Sequence, residues 1–208
     1  MRCDVFDLRR CVNSTVVRIE TLRSNRYQMK TYVALFRGIN VGGKNTLPMK
    51  ELVAILEGVG AQKVKTYIQS GNAAFVCKAK EPSKLSYQIR AEIKKQRGFD
   101  PHVLLFELEE FEKAIRQNPF PEAESNPATL HAGFLAATPD RPDVKTLESL
   151  KSESERFRLI DSVFYLHAPD GVGRSKLAAR AERLLGVPMT DRNWRTVTTI
   201  QKLARALK

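Results

Sequence analysis

The sequence predicts an α+β fold: two ferredoxin-like (βαββαβ) subdomains, antiparallel sheets with helices packed on one face, plus a C-terminal helix. Three observations predict it. Short β-rich runs and stretches with helical apolar spacing follow one another as strand-helix-strand-strand-helix-strand between Thr31 and Glu107. The same order returns between Thr129 and Asn193, although identity between the halves is negligible, so duplication rests on pattern alone. The middle strands of each half are joined by turn signals, Ser70-Gly71-Asn72 and Asp161-Ser162.

In chain order, Thr31 to Phe36 is the first strand. Leu52, Ile55, Leu56 and Val59 recur at helical spacing, so a helix runs from Pro48 to Val59 and Gly60 stops it. Lys63 to Gln69 and Ala73 to Cys77 are the hairpin strands. Leu85, Ile89 and Ile93 place a helix over Pro82 to Arg97, ended by Gly98, and Pro101 to Glu107 is the fourth strand. A short helix follows near Glu109 to Arg116. Asn118-Pro119-Phe120-Pro121 and Ser125-Asn126-Pro127 punctuate 118–128 as a linker between subdomains at 29–117 and 129–208. Thr129 to Ala136 is strand-like, a short helix lies between Asp143 and Lys151, and Glu155 to Ile160 pairs with Val163 to His167. Leu177, Ala181, Leu184 and Leu185 mark a helix that begins near Ser175 and stops at Gly186. Met189 to Asn193 closes the second sheet. Val197, Ile200, Leu203 and Leu207 mark the last helix, with Thr196 as its N-cap.

Residues 1–28 differ from the rest, with six arginines, three acids, no glycine and no proline. We expect either an upstream start before Met29 or a loosely attached, poorly ordered extension there; a basic nucleic-acid arm is the weaker reading because acids are interspersed. Met1 to Ile19 has no apolar core of a signal peptide and carries Asp4 and Asp7, so the Asn13-Ser14-Thr15 sequon is discounted. Cys3, Cys11 and Cys77 have neither metal-ligand nor redox spacing. No apolar run approaches the roughly 18 residues of a membrane helix. A cytoplasmic, reduced protein without membrane, metal or cofactor is expected. The net charge of +12 favours polyanions: nucleic acid, phosphorylated small molecules or an anionic surface.

The chemistry concentrates in Arg37-Gly38-Ile39-Asn40-Val41-Gly42-Gly43-Lys44-Asn45. Glycines expose backbone N–H groups or admit close approach, and the two cations add positive charge, so the stretch suits an anion, a phosphate above all. Its spacing fits much of a P-loop, but Asn45 stands where a Ser or Thr would hold magnesium, Pro48 starts the helix too late, and no strand ends in a metal-binding Asp. Nucleoside-triphosphatase is therefore rejected.

Topology places this loop beside Ser70-Gly71-Asn72 and, in the second half, brings Gly171 to Lys176 near Arg192-Asn193-Trp194. If these ends face each other they form one basic cleft between subdomains. The expected ligand-binding set is Arg37, Asn40, Gly42, Gly43, Lys44, Asn45, Ser70, Asn72, Arg174, Ser175, Lys176, Arg192, Asn193 and Trp194. Glycine N–H groups with Arg37 and Lys44 hold phosphate. Arg174, Lys176 and Arg192 add charge, the asparagines orient sugar or base, and Trp194 stacks. Plainer readings stand beside these: the glycines only turn the chain, Ser70-Gly71-Asn72 is a hairpin turn, Ser175 is an N-cap, Trp194 is core, and the cations are solvated. His102, His131 and His167 are read as structural, Cys77 as buried and inert, and nothing pairs Glu57, Glu107 or Asp161.

The opening stretch, with Thr66-Tyr67-Ile68-Gln69-Ser70-Gly71-Asn72, Gly173-Arg174-Ser175-Lys176-Leu177 and Thr190-Asp191-Arg192-Asn193-Trp194-Arg195-Thr196-Val197, resembles the motifs of a bacterial family known as domain of unknown function 1697. The resemblance spans Met29 to the C-terminus. Asp191 and Arg195 depart from it, standing where a small residue and an Asn are expected. It implies an α+β fold with ferredoxin-like subdomains and no established activity. The leading expectation is a protein that binds a phosphate-bearing ligand, nucleic acid or nucleotide first. The alternatives are an enzyme acting on a phosphorylated small molecule or nucleotide at the same cleft, and a protein-interaction domain whose polar loops are structural locks.

Overall fold

β1 (Met29–Arg37) carries an unbroken apolar run because both of its faces are covered. Tyr32, Ala34 and Phe36 join one core cluster, while Val33 and Leu35 join another. The computed structural model describes residues 28–78 and 80–208. The extension expected over 1–28 lies outside the described residues except for Gln28, as do Cys3, Cys11, the sequon and the run at Val16 to Ile19.

After β1 come α1 (Met49–Gly58), β2 (Gln62–Tyr67), β3 (Asn72–Lys78), α2 (Pro82–Arg97) and β4 (His102–Glu107). The sheet order is β2-β3-β1-β4 and every pairing is antiparallel, the ferredoxin-like arrangement the sequence predicts. Leu52, Ile55 and Leu56 of α1 and Leu85, Ile89 and Ile93 of α2 pack on the face that holds Tyr32, Phe36 and Phe75. Gly98 ends α2 in the left-handed region, its N–H bonded to Lys94 O.

α3 (Leu108–Arg116) follows β4 directly. The second unit comprises β5 (Leu130–Leu135), α4 (Val144–Leu150), β6 (Arg156–Ile160), β7 (Val163–His167), α5 (Lys176–Leu185) and β8 (Met189–Asn193), and α6 (Trp194–Arg205) closes the chain. Its sheet order, β6-β7-β5-β8, repeats the first. Leu147 of α4 and Leu177, Ala181 and Leu185 of α5 cover one face of this sheet.

Within each unit the crossover helices pack on one face, as expected. The opposite faces are not left open. Val33, Leu35, Ala74 and Val76 from the first sheet and Ala132, Phe134, Val163 and Tyr165 from the second share one core with α3 and α6. Phe111 of α3 stacks on Phe134 of β5 at 5.4 Å between centroids, and the Tyr165 hydroxyl donates to Ala114 O. Burial pushes the Tyr165 phenol up, so it stays a donor. The 118–128 segment holds one 3₁₀ turn, Pro121–Ser125, and sends Phe120 and Ala123 into the same core. Among the described residues no helix is long and apolar enough to cross a membrane.

Candidate functional site

Five residues of the loop after β1 are left-handed: Gly38, Asn40, Gly42, Gly43 and Asn45. Val41 and Lys44 form an isolated bridge, and Lys44 N–H closes the turn to Val41 O at 3.1 Å. Gly42 (φ 60°) and Gly43 (φ 73°) are therefore the two central residues of a tight hairpin of the type I′ kind. This conformation alone favours glycine there, because an added Cβ would meet nothing within 4 Å. The tip is solvent-facing, with Val41 63% exposed and Lys44 exposed beside it.

The base of the hairpin is tied down. The Asn40 amide nitrogen donates to Leu47 O (2.8 Å) and Gln69 O (2.9 Å), and its oxygen accepts from Leu47 N–H (2.7 Å). Asn45 donates to Gly38 O. Arg97 of α2 donates twice to Thr46 O and pairs with Glu51. The loop after β2 lies alongside, as topology predicts, with Phe36 N–H bonded to Gly71 O at 2.8 Å. A Cβ on Gly71 would stand 2.6 Å from Phe36 Cβ and 2.7 Å from Ile39 Cδ1, so only glycine fits this contact.

The second unit enters this cluster through Arg192 of β8. Its Nε donates to Asn72 Oδ1 (2.6 Å), its Nη2 to Phe36 O (2.7 Å) and Ser70 O (3.2 Å), and its Nη1 to Asp191 O (2.8 Å). Asn72 is fully buried and spends its amide nitrogen on Tyr67 O and the Ser70 hydroxyl. Every acceptor here is neutral. Burial pulls the Arg192 guanidinium down to about 10, and it remains charged at neutral pH. Arg37 reaches across as well, its Nη1 2.6 Å from Glu182 Oε1 on α5.

The remaining expected site residues lie apart. Arg174, Ser175 and Lys176 line a cavity whose other walls are 149–155 and 168–171, all from the second unit. Ser175 caps α5, its hydroxyl accepting from Ala178 N–H. Asn193 caps α6 by accepting from Thr196 N–H at 3.0 Å. This corrects the expectation that Thr196 is the cap: the helix starts earlier, and Thr196 supplies a first-turn donor. Trp194 is 2% exposed in the shared core, and its Nε1 has no partner among the described residues, so the ring offers no stacking face to solvent.

Sequence reasoning did not anticipate the pair His131–Asp191. His131 on β5 is buried, and its Nδ1 lies 2.8 Å from Asp191 Oδ2 on neighbouring β8. The departure at Asp191 was the sole sequence signal, since strand register is not visible in a single sequence. Asp161 accepts from Lys113 Nζ and Gln117 Nε2 of the segment after β4, and Glu107 pairs with Lys30. His167 contacts Arg156, and burial together with that cation pulls it below the usual imidazole value. Cys77 is buried, its Sγ donating to Gly60 O. Among the described residues no three His, Cys, Asp or Glu side chains are grouped to hold a metal.

Residues 29–165 match a family described as "Protein of unknown function (DUF1697)". The structure of conserved bacterial protein SP0830 from Streptococcus pneumoniae is similar, with a TM-score of 0.64 at 28% identity over 85% of this chain and 99% of that one. No curated protein matches. The family match ends before Gly173, so the two C-terminal motifs lie outside it.

Proposed function

Because the chain belongs to the family described as protein of unknown function DUF1697, a description that names no activity, we propose from its surface chemistry that it is a binding module for a phosphate-bearing polymer, a single-stranded nucleic acid first.

The observation that carries this reading is a set of cations without acidic partners. Lys63 and Lys65 are exposed on β2, an edge strand of the first sheet. Arg195 and Lys202 are exposed two helical turns apart on α6, so they share a face, and α6 packs against β2 and β3. Lys44 stands on the hairpin after β1, the sheet end that Arg192 contacts. Among the described residues none of Lys44, Lys63, Lys65, Arg195 and Lys202 is in an ion pair. On a chain of net charge +12, such a set suits a run of phosphates.

The reading moves the ligand away from a cleft between subdomains. Arg37, Asn40, Asn45, Asn72, Arg192 and Asn193 already bond within the protein, while Gly42, Gly43 and Lys44 remain at an exposed tip. Titration of single-stranded RNA and DNA oligonucleotides over a range of salt tests it. Affinity should fall steeply with salt, and each Lys→Ala change at Lys63, Lys65 or Lys202 should lower the log–log slope by about 0.7. Absent binding, or binding indifferent to salt, overturns it.

The Arg192 contacts favour a second reading, a protein-interaction domain whose polar loops lock the units together. Such a lock holds Val41 and Ile68 rigidly at one sheet end, where both are exposed. Oligonucleotide binding that tracks the lysines decides against it.

A further inference from the structure

A cavity of about 480 Å³ lies in the second unit, between the end of α4, the turn before β6, the loop after β7 and the first turn of α5. Its lining carries charges of both signs. Among the acids is Glu155, only 5% exposed. Its Oε2 accepts from Ser152 N–H at 3.0 Å, and its own N–H returns to Ser152 O, which locks the turn. Its Oε1 has no hydrogen-bond or ion-pair partner among the described residues. Asp170 lines the same cavity and accepts from the Ser154 hydroxyl at 2.6 Å.

The cations of the lining include Arg174 and Lys176, both exposed and in no ion pair among the described residues. Lys151 also lines the cavity but pairs with Glu148. Ser175 satisfies one first-turn donor of α5, at Ala178. The N–H groups of Lys176 and Leu177 precede any intrahelical acceptor.

Glu155 Oε1 keeps contact with solvent although the side chain around it is buried, so it is an acceptor at which a ligand's donor can take the place of water. Two cations with the positive end of a ten-residue helix beside them favour a dianion. We propose that this cavity binds a small phosphate monoester. The phosphate lies against Arg174, Lys176 and the first turn of α5. The tail, bearing hydroxyl or ammonium donors, reaches Glu155 Oε1. The cavity volume is within the range of small-ligand sites, roughly 300–1,000 Å³. The site is independent of the nucleic-acid surface, since no residue is shared between them.

Calorimetric titration of the whole chain with ribose 5-phosphate, phosphoethanolamine and inorganic phosphate tests the proposal and separates the two tail chemistries. At least one monoester should bind about tenfold or more tightly than inorganic phosphate. Arg174→Ala with Lys176→Ala should weaken monoester and phosphate together, by about tenfold or more. Glu155→Gln retains an oxygen for Ser152 N–H, so it should erase the monoester's advantage and leave phosphate binding within about twofold. Monoesters that bind no better than phosphate to the unaltered protein overturn the proposal, as does an advantage that survives Glu155→Gln. Either result leaves Glu155 as a turn lock only.

Discussion

Arg192 Nε lies 2.6 Å from Asn72 Oδ1, so a guanidinium from the closing strand of one unit is seated on the buried amide that begins β3 of the other. Its other contacts with the first unit are carbonyls at the end of β1 and in the turn before β3. The planar fork matters here, because three separate acceptors must be met from one side chain. Arg192→Ala leaves Asn72 Oδ1 and Phe36 O buried without donors. It should cost about 2–4 kcal/mol in urea unfolding. Arg192→Lys should recover less than half of that, since one ammonium cannot span the same acceptors.

Gly71→Ala tests the contact beneath this lock. The position combines φ of +73° with a projected Cβ 2.6 Å from Phe36 Cβ, and neither Phe36 nor Ile39 has room to retreat in a packed core. Strain and overpacking together predict a loss of about 2–4 kcal/mol. Gly43→Ala, left-handed but open, should cost only about 1 kcal/mol. Equal losses at the two sites contradict the close approach at Gly71.

These polar loops explain what the sequence could and could not reveal. Strand and helix order was legible because Leu52, Ile55 and Leu56, or Leu85, Ile89 and Ile93, repeat at a local period. The proximity of the two loops at the end of the first sheet followed from strand direction alone. The role of Asn40, Asn72 and Arg192 did not, because amides and arginines that hold a ligand have the same composition as those that hold a backbone. Their partners lie 7, 29 and 120 residues away. The burial of Trp194 was equally hidden: it depends on α6 filling the space between two sheets, and no local pattern states which sheet a helix will meet.

Ile68 is a β-branched residue at φ +49° with 53% of its surface exposed. It accepts left-handed strain and gains little burial in return. Ile68→Gly should therefore stabilise the protein by about 0.5–1 kcal/mol in chemical denaturation. Lowered stability instead means that the side chain packs usefully where it stands.

Acid should unfold the protein through its paired carboxylates. Hydrogen bonds from Arg90, Lys113 and Arg205 hold Asp100, Asp161 and Glu112 below their ordinary values. A carboxylate with a depressed folded pKa contributes stability above its unfolded pKa, and that contribution is lost as pH falls through the folded value. The urea midpoint should change little on this account between about pH 7 and 5 and decline below about pH 4. Glu112, with its side chain only 13% exposed, joins α3 to α6 and should matter more than exposed Asp161. Glu112→Gln should flatten the acid limb more than Asp161→Asn does.

The hairpin tip offers the sharpest separation between a turn and a contact surface. Gly42 has φ of 60° and open space where a Cβ would go. Asparagine is the residue best suited to replace glycine in the left-handed position of such a turn. Gly42→Asn should therefore fold with stability within about 0.5 kcal/mol of the parent. If the glycine serves only the turn, oligonucleotide affinity should be unchanged. If a phosphate approaches the backbone at Gly42 and Gly43, the added side chain blocks it, and affinity should fall about tenfold or more at fixed salt, a loss that an extra lysine elsewhere on the surface does not repair. Lys44→Ala by contrast should lower the salt slope by about 0.7 and leave a weakened but measurable complex. The two variants thus report different physics at adjacent positions, steric approach to the backbone in one and counterion release in the other.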